Sequence, residues 1–308
     1  LSILFAPCLL PSLMAGGASA IGAATAPISS WDNSTYDQEQ TTARSFRSMS
    51  ARHELASLPI EKFCEGAVRL ERPAQLGAVG VNVNALQRFA NLKCGVFEGP
   101  CSIHASMLGE VHFGAFSYVG SGEISHARIG RFCSIANSVT IGPAEHPTGW
   151  LSSHPFQYNG TRRLGPPYEA WRGTGRFRAY GARPVQIGND VWIGGNALIR
   201  RACQVGHGAI VAAGAVISRD VAPYGVAAGV PGRILKFRLD EALRERLLRL
   251  EWWNWNLAPI SAALRYEDPA DSADRIEAAI AEGRLEPAAF QGAVVRRAPD
   301  GLLWMAPF

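Results

Sequence analysis

Between Val185 and Gly225 the chain reads VQIGNDVWIGGNALIRRACQVGHGAIVAAGAVISRDVAPYG. An Ile or Val returns at every sixth position: Ile187, Ile193, Ile199, Val205, Val211 and Ile217. An amphipathic helix repeats near 3.6 residues and a half-buried strand every second residue. A period of six fits neither and points to a stacked-repeat architecture. A second column lies two residues earlier, at Val185, Val191, Ala197, Cys203, Ala209 and Ala215. An earlier block obeys the same rule, with Ile129, Ile135 and Ile141 preceded by Ala127, Cys133 and Val139 and followed by Gly130, Ala136 and Gly142.

Each hexad reads as a short strand plus a turn, and three hexads close a triangular coil. Such coils stack about 4.8 Å apart through parallel-sheet hydrogen bonds. The β-branched column suits a pleated interior, the small column fits near a corner, and Gly tolerates the turn dihedrals. Cys133 and Cys203 then fall inside the prism as small hydrophobes. The expected fold is an all-β core, a parallel β-helix of hexapeptide repeats from about Cys94 to Pro223, with poor register from Cys94 to Gly122.

Composition limits the setting. With 47% hydrophobic and 18% charged residues the chain is globular, and its net charge of +4 is too small to argue for nucleic acid. No run of 18 apolar residues free of Gly and Pro suggests a membrane span. The six cysteines form no C-x-x-C pair and match no zinc spacing, which favours reduced thiols in a cytoplasmic protein. The first 30 residues carry no charge and resemble a signal peptide's apolar core with an exit at Ala18–Ser19–Ala20, but lack a basic n-region. A signal peptide and a mis-assigned start both remain open. The domains expected are a signal-like or disordered segment and linker (1–50), an N-terminal extension (51–92), the solenoid (93–238) and a C-terminal helical and hairpin extension (239–308).

Between Ile141 and Ile187 the period stops. The excursion at 143–184 holds two tryptophans and six arginines. A long loop inside a regular scaffold commonly carries function, the alternative being a covering flap. His146 follows Ile141 by five residues and so emerges at the prism edge. A neutral imidazole is a natural general base for a hydroxyl. His154 is the rival, further out on the loop, and either histidine could instead tie the loop down. Beyond the coils, LDEALRERLLRLEWWNW predicts a helix capped near Asp240, with Leu239, Leu243, Leu247 and Leu250 on one face. A second helix is expected from Ala273 to Glu282, ending at Gly283. AVVRRAPDGLLWMA predicts a hairpin turning at Pro299–Gly301.

IGRFCSIANSVTIGPAEHPTGWLSSHPFQY, the hexads with VAAGAVISRDVAPYGVAAGVPGRILKFRL, and EWWNW together resemble the hexapeptide-repeat xenobiotic acetyltransferases, which include chloramphenicol and streptogramin O-acetyltransferases and polysaccharide-modifying relatives. The resemblance runs from about Leu86 to Asn256. It implies a homotrimer of left-handed β-helices with acetyl-CoA, as co-substrate and without a metal, in the groove between neighbours. It implies that His146 takes the proton of a hydroxylated small-molecule or glycan acceptor, and that the Gly195 amide holds the developing oxyanion. It implies that Ala213 lets the pantetheine arm approach, that Ser218 and Arg219 meet the cofactor, and that Arg233 and Lys236 meet its phosphates.

Departures from the family pattern are Glu145 in place of Asn, Arg219 in place of Lys, and Gly232 in place of Ala or Cys. The first 85 and last 50 residues match nothing in it. Other readings are weaker. A γ-class carbonic anhydrase shares the fold but needs a His-x-x-x-x-His spacing, and no two histidines here are five apart. A nucleotide-sugar pyrophosphorylase needs an N-terminal phosphate loop, which residues 1–90 lack. A non-enzymatic scaffold whose flap binds a partner is the alternative from another class.

Overall fold

The computed structural model describes residues 51–158, 171, 173, 175, 177 and 183–308. The signal-like segment and linker at 1–50, and much of the excursion, lie outside the described residues.

The chain winds into a parallel β-solenoid of about seven turns. Its first face stacks Val81–Val83, Cys101–Ile103, Tyr118–Val119, Ser134–Ile135, Trp192–Ile193, Ile210–Val211 and Gly225–Ala228. The second face includes Val139–Ile141, Leu198–Ile199 and Val216–Ile217. The third includes Val185–Ile187 and Gln204–Val205. The interior is the column read from the sequence, with Ile135, Ile141, Ile193, Ile199, Val205 and Val211 all fully buried. Cys133 and Cys203 are buried free thiols among them, and burial pushes the Cys133 thiol up to about 12.

The solenoid exceeds its expected bounds at both ends. Val81–Val83 pairs with Cys101–Ile103, so coiling begins before Cys94, and Gly225–Ala228 carries it past Pro223. The poor hexad register of the early coils has a physical reason. Ile193 pairs with Val211 eighteen residues on, but Val119 pairs with Ile135 only sixteen on. In this region the eight-residue strands Asn91–Glu98, Ser106–Phe113 and Gly122–Ile129 each span two faces. They bend at irregularities such as Gly109 and His126, both at positive φ, instead of making a full turn.

The extensions close the ends. The expected hairpin forms from Gly292–Arg297 and Leu303–Pro307, with Gly301 at φ 84°. Its first strand pairs antiparallel with Asn91–Glu98 and so covers the open edge of the first coil. An uncovered edge of this kind would recruit other strands. At the other end the helix Glu241–Leu250 starts where the Asp240 carboxylate accepts the Leu243 amide at 2.9 Å. Its leucines pack on Tyr224 of the last coil and on Ala273. The second helix is Pro269–Ala281, four residues earlier than expected, because Asp268 caps it and Pro269 provides a first turn that needs no amide donor.

Candidate active site

The excursion leaves the corner between the second and third faces. Arg201, one coil on, donates from Nε to the carbonyls of Gly142 and Pro143, each at 3.2 Å, and fastens the loop's base. Pro147 is buried, and Glu145 pairs with Arg200 at 3.3 Å. Between these anchors His146 is exposed.

Its Nδ1 lies 2.9 Å from the Ser153 carbonyl and 3.3 Å from the Tyr158 hydroxyl. A carbonyl can only accept, so the hydrogen sits on Nδ1 and the Nε2 lone pair is left to take a proton. Ser153 and Tyr158 show that the outer part of the loop folds back over His146. Tyr158 also belongs to an aromatic cluster, with its ring 5.9 Å from Trp150 and 5.2 Å from Phe177. The sequence reading found none of these partners. Their only signal was the dense run of His, Pro and aromatic residues from His146 to Tyr158. His154 is differently employed, since its Nδ1 accepts the Phe156 amide at 3.2 Å and caps the short 3₁₀ turn Pro155–Gln157.

Gly195 and Ala213 stack on adjacent coils at the corner between the first and second faces, where the Gly214 amide donates to the Gly195 carbonyl at 2.8 Å. The neighbouring glycine is demanded by the solenoid, because a Cβ on Gly194 would lie 2.4 Å from the Ala213 nitrogen. Gly195 is not. Its Cβ would meet only the Asn137 carbonyl oxygen, at 3.4 Å. Among the described residues the amides of Asn137, Gly195 and Ala213 find no protein acceptor. This corner is a short row of bare donors flanked by small side chains.

Ser218 and Arg219 sit at the loop's corner, half-buried and exposed respectively. Arg233 and Lys236 are exposed on Arg233–Phe237, which runs antiparallel to Gly225–Ala228 and ends the first face. Arg233 donates to its neighbour's carbonyl, that of Gly232, at 3.0 Å. A Cβ on Gly232 would lie 2.7 Å from Ile217 Cδ1, which explains the smallest residue there. Within one chain, then, Gly195 and Ala213 occupy one corner of the second face, and His146, Ser218 and Arg219 the other. Among the described residues no group of three His, Cys, Asp or Glu side chains could hold a metal ion.

The corner between the third and first faces is opposite in character. Glu98, 6% exposed, accepts the Ala115 amide at 3.2 Å and a bidentate pair from Arg131 at 2.8 and 3.0 Å. It also pairs with Arg52. Asn189 Oδ1 accepts the Arg131 amide at 2.7 Å, and His207 Nδ1 accepts the Asn189 amide at 2.9 Å. Burial pushes the His207 imidazole down to about 4. The C-terminal extension seals this ladder. Trp253 stacks on His207 with centroids 4.6 Å apart, Trp252 lies on Phe132, and Phe290 lies under the Arg131 guanidinium.

Comparison with known proteins gives the same assignment. The family model for bacterial transferase hexapeptide repeats (six repeats) matches residues 184–219. The chloramphenicol acetyltransferase of Klebsiella aerogenes is 35% identical over 146 residues, 46% of this chain and 66% of that protein. The probable macrolide acetyltransferase of Lysinibacillus sphaericus is 36% identical over 132 residues, 42% of this chain and 69% of that protein. The chain belongs to the hexapeptide-repeat xenobiotic acetyltransferase family. It spans about two thirds of the length of these relatives. Among solved structures, a galactoside acetyltransferase in complex with coenzyme A aligns at 20% identity and a TM-score of 0.32, covering 63% of this chain and 80% of that one. That superposition is too loose to bear on the site. In this family member the matched coils are those that carry Gly195 and Ala213, and no described helix is long and apolar enough to cross a membrane.

Proposed function

We propose that this family member transfers an acetyl group from acetyl-CoA to a hydroxyl of an antibiotic or saccharide acceptor, with His146 as general base. The observation that carries the reading is the contact of His146 Nδ1 with the Ser153 carbonyl, which favours the tautomer a base requires. The relatives' names support acetyl transfer and an antibiotic-like acceptor.

The steps follow from the groups present. Nε2 of His146 takes the acceptor's proton as its oxygen attacks the thioester carbonyl. The carbonyl electrons move onto oxygen, which the Gly195 amide receives. Collapse breaks the C–S bond, and the thiolate leaves with the proton held on His146. Ala213 leaves room for the pantetheine arm beside the bare amides. Ser218 and Arg219 contact the coenzyme, and Arg233 and Lys236 meet its phosphates through charge-assisted hydrogen bonds. Because Gly195 and His146 lie at different corners of one chain, the site is assembled where two copies meet, and a homotrimer supplies three such grooves.

The test is single-turnover transfer with a thiol reporter across a panel of hydroxylated acceptors. His146→Ala should keep the oligomer and acetyl-CoA binding and lose about 10²–10⁴ in rate. His154→Ala, which removes the cap of the 3₁₀ turn, should retain most of it. A dead His154→Ala beside an active His146→Ala would move the base to His154. No transfer by the unaltered protein to any acceptor would refute the enzyme reading.

A further inference from the structure

A cavity of about 530 Å³ opens at the far end of the solenoid, on coils that contribute nothing to the proposed acetyl-transfer site. Its floor is a set of adjacent strands. Arg296 of the hairpin lies opposite Cys94, Cys94 opposite Glu110, and His112 opposite Arg128. Its roof is the helix at 51–57, which brings His53 and Ser57. The cavity therefore lies where this chain's two extensions meet its first coils.

Its charge is one-sided. Lys93, Arg128, Arg296 and Arg297 face it, against the single carboxylate of Glu110. Among the described residues none of the four cations has an ion-pair partner. Arg296 donates to the Leu58 carbonyl. Arg297 donates from Nε to the Leu92 carbonyl at 3.1 Å and from its other two nitrogens to the Gly301 and Phe89 carbonyls. Those bonds leave both charges unneutralised, with the Arg297 fork held by backbone and its charge acting at a distance. His112 is pressed the same way, because burial and the neighbouring Arg128 and Arg52 push it down to about 4. Clustered cations around a hollow raise the energy of the empty state and focus a positive potential into it. Arginine forks match planar or tetrahedral oxyanions in bidentate fashion. The volume falls within the range of about 300–1,000 Å³ found for small-molecule sites.

We infer that this cavity binds a small polyanionic metabolite through its phosphate or carboxylate groups, between the helix at 51–57 and the outer surface of the first coils. Lys93, Arg128, Arg296 and Arg297 supply the charge, and neutral His112 supplies a further hydrogen bond.

The test is calorimetric titration of the full chain with pyrophosphate and with citrate at constant ionic strength. Saturable binding of one or both is expected, and which of them binds decides between phosphate and carboxylate. The double variant Lys93→Gln/Arg128→Gln should weaken binding by about tenfold for each lost cation. Lys93→Gln alone changes only an exposed side chain and should weaken it by about tenfold even if the double variant folds poorly. The variant Arg265→Gln, an exposed cation outside both sites, should leave it unchanged. Failure of both anions to bind, unaltered affinity in Lys93→Gln, or an equal loss in Arg265→Gln would overturn the inference.

Discussion

At one corner of the prism the turn amides of Ala115, Arg131 and Asn189 are received by Glu98, Asn189 and His207. At the next corner the equivalent amides of Asn137, Gly195 and Ala213 have no acceptor among the described residues. The turns are alike, and only the side chains differ. The first corner carries long polar residues and is covered by Trp252, Trp253 and Phe290. The second carries Asn137, Gly195 and Ala213, of which Asn137 and Ala213 are exposed and Gly195 is half-buried. A donor at an exposed or half-buried turn can be met by water or by a ligand. A repeat fold therefore has two uses for the same turn: satisfy it internally, or leave it to a ligand. The contrast makes separable predictions, because damage at the filled corner should show as stability and damage at the bare corner as activity.

The largest effect should come from Glu98→Gln. It leaves Arg131 and Arg52 without their counter-charge in a buried site, and breaking one partner of such a pair typically costs about 3–5 kcal/mol. Denaturant titration should show that loss, while the folded fraction turns over normally. A change in turnover with no change in stability would mean the two corners do not divide in this way.

Next is Gly195→Val. The fold has room for a Cβ there, so the midpoint of unfolding should hold. If the Gly195 amide receives the oxyanion, crowding it should lower the rate by about 10²–10³. An unfolded Gly195→Val would show that glycine serves the solenoid, as at Gly194.

Acid should separate the corners as well. The folded His207 titrates near 4 and an unfolded histidine near ~6.5. Between those values the unfolded chain binds more protons, so stability is full above pH ~6.5 and falls as the pH drops towards 4. The loss from His207 is about 3 kcal/mol across that window. Protonation also removes the acceptor for the Asn189 amide. His112, likewise pushed down to about 4, adds a similar slope. Unfolding titrations at pH 7, 6 and 5 should therefore show His207→Gln flattening the dependence by roughly half.

These elements differ in how far the sequence revealed them. The coils from Val185 to Ile217 were legible because each closes in eighteen residues and repeats its interior column without interruption. The first coils showed only as a poor register, because strands such as Ser106–Phe113 run across a corner and shorten the coil, and the strand Val81–Val83 was missed. The loop's exit after Ile141 was legible from the break in period. Its folding back was not, since the contacts of His146 with Ser153 and Tyr158 depend on loop conformation rather than on any repeat. The ladder from Glu98 to His207 was equally hidden. Arg131 reaches Glu98 across 33 positions and Asn254 across 123, separations that only stacking and the C-terminal cover bring together.

The smallest effect should come from the ion pair at the base of the loop. Glu145 stands where the family pattern has Asn, and its partner Arg200 has half of its side chain exposed, at 49%. Solvent screens such a pair, and exposed pairs contribute about 0.2–1 kcal/mol. The loop base is also held by Arg201 on the Gly142 and Pro143 carbonyls, and by buried Pro147. Glu145→Asn should therefore shift stability by no more than about 1 kcal/mol and leave the orientation of His146 intact, because the Ser153 bond remains. Turnover of Glu145→Asn should stay within the roughly fivefold range that such an energy allows. A loss as deep as that of His146→Ala would mean that Glu145 holds the imidazole in place of the Ser153 carbonyl. It would move the loop's anchoring from backbone contacts to a charge, and high salt should then mimic the substitution.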